Sequence, residues 1–258
     1  MGALLAVLLL VPRPALSGPE QTVPTKDGVF LVHWTGAGDD APARPDDVSP
    51  ANGVPDDIDG VVDGLAQSIA YLCPALPRPL PDSGEGGDAR VDVYLHRMNG
   101  PRGNTNPEPA PGGGMSAWIE LDPRTALASR ARLAATAGHE AGHAVQYADA
   151  PTFSRWFGEA MATYVEYRLF DGDALEAERE QHWANVLAHP EVPIDRVDGV
   201  HEYDMFILVK FLLDGYPGGD AVLPIYWRTA KLDPVSGIES LRRHGIAVEE
   251  LALVPARA

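Results

Sequence analysis

Cysteine is almost absent from this chain. Cys73 stands alone among 258 residues, so no disulfide within the chain can staple the fold. Flanked by Leu72 and Pro74, it reads as a small core residue and not as a nucleophile. Positive charge is scarce too. Lys and Arg number 20 against 37 Asp and Glu, a formal net charge of −17. That balance argues against nucleic acid as a partner, because phosphates need basic side chains. No polybasic stretch suggests an anionic membrane surface, and internal repeats are missing. No apolar run is comfortably long enough to span a bilayer. The nearest is residues 1–11, followed by small residues at Ala15 and Ser17. This is the pattern of a secretory leader covering residues 1–17, with Gly18 as the first mature residue. The expectation is a secreted, monomeric protein with no stable membrane insertion once the leader is gone.

What is present suits a globular domain, with 45% hydrophobic and 22% charged residues. Residues 29–34 read as a strand and residues 36–53 as a Pro, Gly and Asp loop. Ile58, Val61, Val62, Leu65, Ile69 and Leu72 then trace one face of a helix. Residues 91–95 alternate as a strand, so strand, helix and strand suggest a βαβ unit. Residues 99–114 read as a long loop and a mobile cleft wall. Residues 115–121 follow as a short strand, expected at a sheet edge where an extended peptide could add by main-chain hydrogen bonds. From Arg124 onward the chain reads as nearly all helix, ending in a pair near residues 238–244 and 248–253. The fold class is therefore α+β: an N-terminal mixed sheet with helices (about 18–146) and a helical C-terminal lobe (about 147–258), in a single domain over 18–258. The acidic loop holding Asp46, Asp47, Asn52, Asp56, Asp57 and Asp59 gathers hard oxygen donors that suit calcium. It departs from EF-hand spacing, and carboxylates capping the next helix explain it better.

The strongest signal is His139-Glu140-Ala141-Gly142-His143, an HExxH motif. Residues 124–146 hold no proline and no β-branched run, and Ala, Leu and Arg favour helix. On a helix, residues four apart share a face, so both imidazoles point the same way. Zinc takes neutral imidazole nitrogen readily, and Glu140 is placed as general base toward water at the metal. Leu127, Ala131, Ala134, Ala135 and Gly138 align at helical spacing beside the pair, an apolar stripe that would hold and partly dry the site.

A zinc hydrolase needs a third protein ligand. Asp149 lies ten residues after His139, where the metzincin pattern HExxHxxGxxH puts its last ligand. The glycine that turns the chain there is replaced by Gln146. The other candidate is Glu159, in a second helix-like segment with Ser154 at its N-cap position and a break at Pro151 before it. Fifteen residues lie between His143 and Glu159, room for a turn and an antiparallel helix. Thr163 and Glu166, further along, are candidates to hold a ligand histidine by its far ring nitrogen.

The pairing of residues 139–143 with Trp156-Phe157-Gly158-Glu159-Ala160-Met161-Ala162-Thr163-Tyr164-Val165-Glu166 resembles the gluzincin metallopeptidases. The aminopeptidase N branch carries HExxH followed by WxxEGxAxYxE, whose first Glu binds zinc. The resemblance implies Zn2+ held by His139, His143 and Glu159, on a zincin-like fold with a central zinc-binding helix. Ala160 replaces that branch's usual Gly. The order of boxes also resembles the MXAN_6640 family of secreted metalloproteases. Here they are the strand at Phe30, Asn52-Gly53-Val54-Pro55-Asp56, Val91-Asp92-Val93-Tyr94-Leu95, the HExxH segment through Gln146, and Trp156 to Glu159. By the aminopeptidase resemblance, Tyr203 is the catalytic donor to the oxyanion, with His201 as the alternative. Ser116 stands where that branch has the Glu that binds a free amino terminus, so endopeptidase cleavage is expected. The resulting expectation is a secreted zinc metallopeptidase acting on a peptide or protein substrate, with Glu140 as general base. The alternative is a non-catalytic or non-peptide zinc hydrolase on the same scaffold.

Overall fold

The computed structural model describes residues 11–73, 80–111, 113–149 and 154–215, together with Arg242. Five strands form one mixed sheet: β1 (Glu20–Pro24), β2 (Phe30–Thr35), β3 (Val91–Leu95), β4 (Gly103–Pro109) and β5 (Met115–Leu121). Their spatial order is β1-β2-β3-β5-β4. The inner pairs β2–β3 and β3–β5 are parallel, and both edge strands are antiparallel to their neighbours. The connection from β2 to β3 runs through helix α1 (Asp56–Leu72), so the expected βαβ unit is present. Further helices follow: α2 (Arg130–Asp149), α3 (Arg155–Leu169), α4 (Asp173–Ala188), α5 (His201–Asp204) and α6 (Phe206–Lys210).

Strand alternation gives the sheet two unlike faces. Phe30, Val32 and Trp34 of β2, Val91, Val93 and Leu95 of β3, and Ala117, Ile119 and Leu121 of β5 share one face and are all buried. They form one core with Ile58, Val61, Leu65 and Ile69 of α1 and Leu133, Ala137, Ala141 and Val145 of α2. The other face is polar. It carries His33, Asp92, Tyr94, Ser116, Trp118, Glu120, Asn106 and Glu108, most of them buried as well.

Four expectations change. Residues 99–114 are not a loop throughout, since they contain the edge strand β4. β5 is consequently an interior strand, and the free edge on this side belongs to β4. Helix α2 begins at Arg130, not Arg124, because Ser129 Oγ accepts the Arg132 N–H at 2.9 Å and caps it. Leu127 therefore lies in a short 3-10 turn before α2, 63% exposed, and is no part of the apolar stripe. β1 had no legible sequence signal. The helices expected near residues 238–244 and 248–253 lie outside the described residues, as does the chain break at Pro151.

Candidate metal centre

Helix α2 packs against α1, β5 and α3, which leaves the middle of α2 buried on nearly all sides. His139 and His143 project from it toward α3, one helical turn apart. Their Nε2 atoms lie 3.2 Å from each other. Glu159 enters from the first turns of α3, its Oε2 at 3.4 Å from His139 Nε2 and 3.2 Å from His143 Nε2. These three ligand atoms form a group able to hold a metal ion. Asp149, at the last turn of α2, does not join it. Ser154 does occupy the N-cap position of α3, but its side chain makes no capping bond.

A donor-set argument supports a cation at the centre. Gln146 Nε2 donates to the Gly158 carbonyl at 3.0 Å, which turns its Oε1 toward His143 Nδ1 at 2.8 Å. His143 must then carry its proton on Nδ1, and the Nε2 lone pair faces a carboxylate oxygen and another imidazole nitrogen. Buried acceptors facing one another are costly unless a positive charge sits between them. Glu140, Glu159 and Glu166 all bear on His139. Burial works against a charged His139 ring, yet Glu159 and Glu166 outweigh it and raise its pKa. Burial likewise pushes Glu159 up, and the two histidines outweigh it, holding the carboxylate well below its ordinary range. The pocket favours positive charge.

Behind His139 stands a chain of charges. Its Nδ1 lies 3.4 Å from Glu166 Oε2, within reach though not a well-formed hydrogen bond. Glu166 is paired with Arg132, whose other nitrogen reaches Glu178 of α4 at 3.1 Å. Glu178 in turn meets Arg102, just ahead of β4, at 2.9 Å. Of the two candidates for orienting a ligand histidine, Glu166 is so placed. Thr163 is not, because its buried Oγ1 makes no hydrogen bond.

Glu140, beside His139, reaches the sheet edge. Its Oε2 accepts from Thr105 Oγ1 of β4 at 2.7 Å. Gly103 allows that approach. A Cβ there would sit 2.8 Å from both Glu140 Cγ and Oε1, too close for any side chain. Glu140 is thus clamped between α2 and the rim strand.

Tyr203 of α5 lies over the centre, its ring centroid 6.1 Å from that of His139 and 27° from parallel. Burial raises its pKa, and the charges of Glu159, Glu202 and Glu140 add to this, so the phenol stays a donor at neutral pH. His201 is buried, with an Nε2 that finds no hydrogen-bond partner. The structure brings together His139, His143, Glu159, Glu140 and Tyr203. Residue-level reading missed Gln146 as an orienting group, and missed Thr105 and Gly103 because β4 was read as loop. The glutamine three residues after the second histidine was the signal that could have found the first.

The acidic loop does not resemble a cation site. Arg130 reaches Asp57 Oδ1 through Nε and Asp56 Oδ2 through Nη1, both at 3.0 Å, and also pairs with Asp46. Asp56 and Asp47 accept backbone N–H groups of residues 48, 49, 52 and 53. The carboxylates fasten the loop to the start of α1 and to Arg130, but they do not cap the helix as expected: Pro55 holds the N-cap position and no side chain bonds there.

No protein-family model matches the chain, and no curated protein matches it.

Proposed function

We propose that the chain is a zinc-dependent hydrolase of gluzincin type, acting on peptide bonds. The observation that carries this reading is the triangle of His139, His143 and Glu159 ligand atoms, with sides of 3.2, 3.2 and 3.4 Å. A tetrahedral zinc site with bonds of about 2.0–2.1 Å has ligand–ligand edges of about 3.3–3.4 Å. Two imidazoles and one carboxylate are also the donor set of a catalytic zinc centre that leaves a fourth position open. Zinc held there supplies Lewis acidity and lowers the pKa of water.

The rest falls to the chain's own residues. Glu140, one residue from a ligand and braced by Thr105, takes the proton of the attacking water and returns it to the departing amine. Tyr203, protonated and close above His139, donates to the oxygen on which charge builds. Gln146 and Glu166 fix the two rings. The edge strand β4 orients substrate. Pro107 and Pro109 have no N–H to give the ladder, so they and Thr105, at the same strand parity, turn their main-chain polar groups outward. An added peptide strand finds outward N–H donors at Gly103 and Thr105, beside Glu140, and only carbonyls beyond them. A secreted product is proposed on the apolar start of the chain, and no helix among the described residues is long and apolar enough to cross a membrane.

The test is Glu140→Gln measured two ways. Metal content after purification should equal that of the parent, while hydrolysis of a casein or N-blocked peptide panel should fall by roughly 10²–10⁴-fold. Equal activity in the variant would remove Glu140 from the chemistry. A parent that retains zinc and cleaves no peptide would favour the non-peptide alternative.

A further inference from the structure

On the face of the sheet away from the metal, Asp92 is 1% and Glu108 is 3% exposed. Two buried carboxylates on one face need a counter-charge. Arg13 supplies it. Its Nη1 and Nη2 fork onto the Glu108 oxygens at 2.7 and 2.9 Å, and Nη2 also lies 3.5 Å from Asp92 Oδ2 and 3.3 Å from Ser83 Oγ. The guanidinium carbon lies 5.0 Å from the Trp118 ring centroid, over its face. Asp92 is held on its far side by His33 Nε2 at 2.9 Å. Four residues on, the segment is tied a second time. The Ser17 N–H donates to Asp40 Oδ2 at 2.6 Å, and the Asp40 N–H donates to Ser17 Oγ at 3.1 Å. Gly38, at φ +76°, leaves the space, since a Cβ there would be 2.4 Å from Ser17 Oγ.

We propose that this face of the sheet is a guanidinium-binding site, filled in cis by Arg13, which latches residues 11–17 across the sheet as a strap of the folded domain. The chemistry specifies arginine. A planar fork satisfies Glu108 with two parallel bonds, leaves a nitrogen edge for Asp92 and stacks on indole. An ammonium group has neither the planar fork nor the flat face to do all three at once. A leader removed after Ser17 would carry the latch away, leaving Glu108 without its counter-charge and Asp92 with His33 alone. Leader removal upstream of Pro12 would keep it. The site does not depend on the metal centre or on the proposed activity.

The experiment is chemical rescue of Arg13→Ala in the full chain. The variant should melt about 5–10 °C below the parent. Non-specific protease should cut residues 11–19 roughly tenfold faster or more, because the strap now opens locally. Methylguanidinium at tens of millimolar should raise the melting midpoint of the variant and leave the parent's unchanged, whereas methylammonium should rescue neither. Metal content should not move. Should Arg13→Ala fail to fold, Arg13→Lys keeps charge and stem, and is expected to show the faster cutting with a smaller loss of stability. An Arg13→Ala protein that melts and resists protease like the parent overturns the latch. So does an equal response of variant and parent to methylguanidinium, or rescue by methylammonium as good as by methylguanidinium.

Discussion

The two faces of the sheet are closed by different physics. On the helical face, nine strand residues meet α1 and α2 through apolar contact alone. Such burial is non-directional, contributing roughly 25 cal/mol per Å2 whatever the pH. The candidate metal centre lies at the margin of this layer, where α2 meets α3. On the opposite face, closure depends on directed pairs: Glu20 with His33, His33 with Asp92, and Asp92 and Glu108 with Arg13. Charged partners hold only with their full complement, so this face should be the more conditional of the two.

The comparison can be broken in graded ways. The largest effect should come from Glu159→Ala, which removes a ligand. Metal affinity should fall by well over a hundredfold, read by competition with a chelating dye, while protection of residues 11–19 from protease stays as in the parent. Loss of the strap along with the metal would mean that the two faces are one cooperative unit. Next, Ile119→Ala on the helical face should cost about 2–5 kcal/mol in urea unfolding. That cost should be the same at pH 6 and pH 8, and a strong pH dependence would contradict an apolar closure.

Gln146→Leu should lower metal affinity by about 10–100-fold with a small change in melting, because it frees the His143 ring without opening the core. Affinity equal to the parent's would dismiss Gln146 as the group that sets the tautomer. The smallest effect is a pH dependence confined to the polar face. His33 is flanked by Glu20 of β1 and Asp92 of β3, stacks on Tyr94 at 4.4 Å, and has Arg13 beyond Asp92. Burial opposes its charge, but the two carboxylates outweigh that and raise its pKa. Protonation is therefore tighter in the folded state. The stabilisation is complete below the ordinary histidine value of about 6.5 and fades as pH rises through the raised one. His96, raised by its bond to Glu120 against burial and with Asp40 adding to it, acts in the same direction. The parent's melting midpoint should decline above about pH 6.5, and His33→Gln should flatten part of that slope.

Helix α2 was readable because its information is local. His139 and His143 sit four residues apart, with Glu140 between them, on good helix formers, and Glu159 follows in a second segment of the same kind. The helical face of α1 and the β2-α1-β3 unit were legible for the same reason. β4 was not. Its sequence, Gly103-Asn104-Thr105-Asn106-Pro107-Glu108-Pro109, is turn chemistry by composition, and it is a strand only because β5 offers it a ladder in a register that tolerates both prolines. Residues 11–17 were read as leader because small and apolar residues dominate there, and nothing local ties Arg13 to Glu108, which lies 95 positions away.

The sequence by itself determined which side chains can hold a metal, because helical periodicity alone puts the two histidines side by side, with Glu140 next to them. Only the tertiary structure decided what meets them: Glu159 from α3, Gln146 locked by the Gly158 carbonyl, Thr105 from an unforeseen rim strand. It alone decided that Arg13 lies between two buried carboxylates. Long-range pairing of that kind is set by the packing of whole layers, and no spacing along the chain encodes it.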